Sequence, residues 1–112
     1  MRPIAIMLAA VAAGLSAPAV GQPVHQPGSI TMVRTGWNAD SFAVVTAEPI
    51  VNPAGCPTPD GYISDKSFPG YETFYSAALT AFVARRRVIM VVDEAQCFND
   101  RPKIVGINIT SE

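Results

Sequence analysis

The chain has 112 residues, of which 49% are hydrophobic and 15% charged, with ten prolines, two cysteines, one histidine and a formal charge of −1. That length holds one domain and excludes a second large core. The balance of charge gives no global field that would draw the chain onto nucleic acid or an anionic membrane, so neither is an expected partner.

Met1-Arg2-Pro3 and the apolar run from Ile4 to Ala13 have the layout of a secretory signal peptide: one positive charge, an apolar stretch, then small residues. The run meets Gly14, Ser16 and Pro18 well short of the roughly 20 apolar residues a bilayer requires, so no stable membrane anchor is expected. Cleavage fits after Ala19 or after Gly21. The second is favoured, which makes residues 1–21 the signal and predicts a secreted or periplasmic protein.

Residues 22–29 read Gln-Pro-Val-His-Gln-Pro-Gly-Ser. The prolines oppose a helix and the polarity opposes burial, which predicts a flexible arm. The single domain is expected over 30–112. Two extended runs, Ile30 to Thr35 and Ser41 to Thr46, flank Gly36-Trp37-Asn38-Ala39-Asp40 and predict a hairpin. Trp37 at its turn is a binding anchor or a lid over one end of the fold. Glu48 to Gly61 contains Pro49, Pro53, Pro57 and Pro59 and predicts a long irregular loop, after which Gly61 to Ser64 is read as a short strand.

The most strongly patterned segment follows. Tyr71, Phe74, Tyr75, Ala78, Leu79, Phe82 and Val83 keep helical spacing, with Ser67 as a candidate cap, Pro69 acceptable before the first turn and Glu72 at the positive end. Arg85, Arg86 and Arg87 close the helix at its negative end, and no glycine provides the left-handed stop. A strand is expected over Val88 to Val92 and a polar loop over Asp93 to Asp100. A final strand over Ile104 to Ile109 is expected to place Val105, Ile107 and Ile109 on one face, with Gly106 allowing a close approach.

Cys56 and Cys97 are expected to form a disulfide in an oxidising compartment. The loop closed is about 42 residues long, for which chain entropy gives at most roughly 4 kcal/mol. With no Cys-x-x-Cys and a single histidine in the arm, neither a metal site nor a redox pair is expected, and no cofactor. Nor is an enzyme expected: a nucleophile with a base beside it is missing, and the adjacent Asp93 and Glu94 would point opposite ways on a strand. The dense charge cluster Arg85-Arg86-Arg87, with Lys103 or Arg101 nearby, is the candidate anion or ligand site; its plainer reading is a solvated helix end.

Strand, strand, strand, helix, strand, strand is the order of an OB-fold, so the expected class is mainly β with one helix, a small Greek-key barrel. Tyr71-x-Thr73-Phe74-Tyr75-x-x-Ala78-Leu79, Val88 to Val92 and Val105-Gly106-Ile107 resemble the helix, following strand and last strand of binding subunits from pentameric bacterial toxins of the pertussis and subtilase type. They are also similar to small secreted bacterial proteins of unknown role. The chain departs from those subunits at Arg85 to Arg87, where they turn through glycine, and in the positions of its cysteines, so no sugar-binding residue is carried over. The resemblance implies a barrel and a binding role, and leaves open a homo-oligomer. The function expected is therefore a disulfide-stabilised domain that binds a glycan or a protein, the alternative being a structural or inhibitory interaction module.

Overall fold

The computed structural model of the chain describes residues 21–36 and 39–111. The signal segment, apart from Gly21, and Trp37 lie outside the described residues. Five strands, β1 (Val24–Thr35), β2 (Ser41–Thr46), β3 (Tyr62–Asp65), β4 (Arg87–Phe98) and β5 (Arg101–Ile109), and one helix, α1 (Tyr71–Ala84), occur in that order. The strands close into a barrel in the order β1-β2-β3-β5-β4, antiparallel except where β3 meets β5 at Ile63 and Lys103. This is an OB-like barrel with its helix between the third and fourth strands.

Strand β1 serves both halves of the barrel. Residues Val24 to Ser29 pair with β4, and Ile30 to Thr35 pair with β2. The expected flexible arm over 22–29 is thereby corrected: most of it is paired strand. Its partners lie 58 to 68 positions away along the chain, and this portion of β1 forms an edge, where a proline's missing N–H is tolerated if it points away from the ladder. At the change of partner, the Ser29 N–H donates to Glu48 Oε1 at 2.8 Å, and Arg87 Nη1 reaches Glu48 Oε2 at 3.2 Å. A Cβ at Gly28 would sit 2.8 Å from that carboxylate oxygen, so glycine is what lets Glu48 approach. The Ser29 N–H first, and then Arg87, hold the Glu48 carboxyl below the usual glutamate range.

Ile30, Phe42, Val44, Tyr62, Val88, Met90, Val92 and Ile104 fill the barrel, and α1 closes one end with Ala78 and Ala81 fully buried. Small residues let the helix axis come close. Its first turns pack on Phe42, whose ring lies 5.6 Å from Tyr71 and 5.1 Å from Tyr75. The expected apolar stripe continues past the core, because Phe82 and Val83 are exposed.

Three further boundaries differ from expectation. β4 runs on to Phe98 and pairs through Cys97 and Phe98 with Pro102 and Arg101; the loop shrinks to Asn99 and Asp100, both with positive φ, the left-handed pair that a two-residue hairpin demands. In β5, Gly106 pairs with Val91 but Ile104 with Val92, so Val105 is an extra residue. That bulge takes Val105 out of the expected row and lets Ile104 and Ile107, three residues apart, both meet the core; Ile109, two residues beyond Ile107, is exposed where the strand ends. Gly106 is nonetheless a close approach, its missing Cβ only 3.2 Å from Val91.

Helix α1 begins at Tyr71, and its N-cap is Gly70, in the left-handed region, rather than Ser67, whose N–H and hydroxyl donate to Asp65. It ends with Arg85 left-handed at φ 56°; the Arg86 N–H donates to the Ala81 carbonyl at 2.9 Å and the Arg85 N–H to Phe82 at 3.3 Å. This is the Schellman geometry with arginine where glycine is preferred. Arg85→Gly is expected to stabilise the domain by about 1 kcal/mol, or roughly 4–8 °C in melting temperature for a domain of this size. Gly70→Ala, which meets both a positive φ and the Phe74 ring at 2.7 Å, is expected to lower stability by about 1–2 kcal/mol. Urea titrations of the two variants check both signs.

Candidate functional site

The outer face of the barrel is built from a cross-strand row. Arg34 stands opposite Ala43, Ala43 opposite Ile63, and Ile63 opposite Lys103. Their chain neighbours Phe42, Val44, Tyr62 and Ser64 face the interior, so these four face outward. Ala43 and Ile63 are still only 6% exposed, since polar side chains arch over them.

The arch is an ionic bridge. Asp60 Oδ1 accepts from Arg101 Nε at 2.6 Å and from Arg34 Nη2 at 3.1 Å, while Oδ2 accepts from Arg101 Nη2 at 3.1 Å. Arg101 is oriented from behind by the Asn99 carbonyl, 2.8 Å from Nη1. Arg34 crosses β2 to reach Asp60 over Gly61, where a Cβ would lie 2.6 Å from Nη2. The hydrogen bonds from Arg101, and next those from Arg34, pull the Asp60 carboxyl below the usual aspartate range, and Asp60 in turn raises Arg101. Two guanidinium groups on one carboxylate leave a net positive charge, with unspent N–H donors directed around a planar bridge.

A cleft opens on each side of Asp60. One, of about 370 Å³, is walled by Arg34, Asp60, Arg101, Asn99 and Ser41 above Ala43 and Ile63. The other, of about 220 Å³, lies between the far half of β2 and the proline-rich loop, with Val45, Thr46, Glu48, Ile50, Pro59 and Tyr62 around it. Because Asp60 and β2 belong to both, they form one groove along β2, combining an apolar floor with hydrogen-bonding walls.

The loop that carries Asp60 is ordered by its own contacts. Cys56 is joined to Cys97, as expected. The Asn52 side chain pairs with both the N–H and the carbonyl of Cys56, at 2.8 and 2.9 Å. Thr58 N–H donates to Asp100 O at 2.8 Å. Val51 N–H donates at 2.9 Å to the buried Tyr62 hydroxyl, whose ionisation is pushed up by burial.

Lys103 and Arg101 do not join the arginine triplet, and within it Arg87 parts from the other two, which border one concavity at the helix end. Arg85 is exposed at the helix end, Arg86 donates to Ser111 O at 3.1 Å, and Arg87 begins β4 in contact with Ser29 Oγ and Glu48. Arg101 stands beside the other end of β4, opposite Phe98. Lys103 lies 4.4 Å above the Phe68 ring. Arg34, Asp60 and Asn99 were not indicated by sequence; they lie on three separate segments and match no spacing rule. Asp93 and Asp65 are occupied in shaping the backbone, Asp93 Oδ1 accepting the N–H groups of Ala95 and Gln96 at 2.8 Å each. Among the described residues no group of three or more His, Cys, Asp or Glu is placed to hold a metal ion, and no helix is long and apolar enough to cross a membrane.

Comparison of this chain with protein-family models, curated proteins and solved structures finds no match.

Reducing the disulfide is expected to lower stability by up to about 4 kcal/mol and to free the Asp60 loop, checked by urea midpoints with and without reductant. Acid acts on the same bridge. A carboxyl with a lowered folded-state pKa contributes stability above its unfolded-state value and loses it as pH falls through the folded one, here below about 4. Asp60→Asn is therefore expected to flatten the acid limb of a stability–pH curve. Solvent limits the effect to about 1 kcal/mol at most.

Proposed function

We propose that the protein is an exported, disulfide-stabilised binding domain that takes a carbohydrate chain in the groove along β2. The observation that carries this reading is the Arg34–Asp60–Arg101 bridge set across the groove. Its hydrogen-bonding edges lie beside the apolar side chains that line the groove, Val45, Ile50 and Pro59 among them, the pairing that sugar rings require with their hydroxyl rims and C–H faces. The groove also lies on the β2–β3 side of an OB-like barrel, between the β1–β2 and β4–β5 turns, where such barrels take oligosaccharides and oligonucleotides. A bridge with a net charge near +1 suits a sugar better than a polyphosphate backbone. The Cys56–Cys97 bond is compatible with an oxidising compartment, and the layout of residues 1–21 supports export into one. The resemblance, read from sequence, of Tyr71 to Leu79, Val88 to Val92 and Val105 to Ile107 to toxin binding subunits is in keeping with a binding role.

A glycan array probed with the oxidised protein is expected to return binders whose affinity falls about tenfold or more in Arg34→Ala. The fall should recur in Ser41→Trp, which fills the larger cleft from the half-buried first residue of β2. Binders indifferent to both substitutions, or no binders on a broad array, would overturn the reading.

A second reading is favoured by one observation: Pro49, Pro53, Pro57 and Pro59 are all exposed on a loop tied down at Cys56. A rigid exposed loop suits an inhibitory or structural contact with another protein. Partner capture that survives Ser41→Trp but fails on replacing Pro57 and Pro59 by glycine would select it.

A further inference from the structure

The C-terminal end of α1 departs from ordinary helix design in three ways. Phe82 is 41% exposed and Val83 78% exposed, although they continue the apolar stripe whose earlier members seal the barrel. With Ser29 and Ile30 of β1, and with Arg85 and Arg86, they border a concavity of about 490 Å³. Arg85, at the rim, keeps a left-handed backbone that glycine would adopt at less cost. Its side chain makes no hydrogen bond or ion pair with any described residue. The Glu48 carboxylate is already held by Arg87 and Ser29. A strained position whose side chain has no hydrogen-bonding or ionic partner among the described residues points to a role outside the fold.

We propose that this concavity docks a segment of a partner protein carrying an apolar side chain next to a carboxylate. Phe82 and Val83 receive the apolar group, and Arg85 pairs with the acid across the rim. The concave shape, with only Arg85 and Arg86 as basic residues among those that border it, favours a protruding protein segment over a bilayer, which would require a flat face and more basic residues. The site lies on the helix end and is separate from the groove along β2.

The test is selection of a displayed random-peptide library on the full, oxidised protein, followed by titration of the selected peptides as synthetic probes. The expected result is enrichment of Asp or Glu beside Leu, Ile, Phe or Trp. The peptides should bind Arg85→Gly and Val83→Glu about tenfold or more weakly than the parent, while Arg85→Gly melts at a higher temperature, so that misfolding cannot account for the loss. Arg85→Lys is expected to retain most of the affinity. Peptides without acidic residues, undiminished binding to Arg85→Gly, or no enrichment overturn the proposal. So does a concentration-dependent dimer in native mass spectrometry, or sedimentation with phosphatidylglycerol vesicles, that is abolished by Arg85→Gly. The first would assign the face to a second copy of the chain and the second to a membrane.

Discussion

The covalent bond between Cys56 and Cys97 is the constraint on which the functional face depends. It fastens a proline-rich loop, which has no ladder of its own, to the far end of β4, next to the turn leading into β5. Thr58 then meets Asp100, and Asp60 meets Arg101. Without the bond these partners would have to close a long loop at an entropic cost that exposed ion pairs do not offset. With it, closure is already achieved, and hydrogen bonds individually worth about 1 kcal/mol suffice to hold the bridge in place.

The same economy runs through the barrel at β1. One strand belongs to two halves only because it bends, and at the bend its backbone must find another acceptor. Glu48 supplies it at Ser29 N–H, Gly28 leaves the room, and that N–H first and then Arg87 favour the charged carboxylate. The loop from Glu48 to Gly61 is thus fastened at both ends, by an ionic contact near β1 and by a sulfur bridge near β4. The groove lies between these fastenings. A side chain that would otherwise be a mobile surface charge, Arg34, becomes part of a fixed bridge because Gly61 gives it a path to Asp60.

At the opposite end of the barrel, α1 is divided along its length. Ala78 and Ala81 are buried and its first turns meet Phe42 through aromatic rings, whereas its last turn offers apolar surface to solvent and ends on a residue ill-suited to the backbone it adopts. Stability alone would favour a polar residue at Val83 and a glycine at Arg85. Two features that both lower stability, adjacent on one surface, are better explained by a shared contact than by two separate accidents.

The local residues determine much of this protein. Period-two runs locate β2 to the residue, helical spacing locates the start and most of α1, and two cysteines without other redox or metal companions imply their pairing. The order of these elements is enough to name the barrel. The missing pieces were all decided at a distance. The pairing of Val24 to Ser29 depends on β4, which overrides the local signal of Pro27 and Gly28. The extension of β4 to Phe98 depends on β5, and the burial of Ile104 in place of Val105 depends on a bulge that no short pattern announces. The bridge of Arg34, Asp60 and Arg101 joins a strand, a loop and a hairpin. Periodicity reports which side of a single element avoids water, and so it is written in neighbouring residues. A site made of charges is specified by which elements the closed barrel brings face to face, and only tertiary structure determines that.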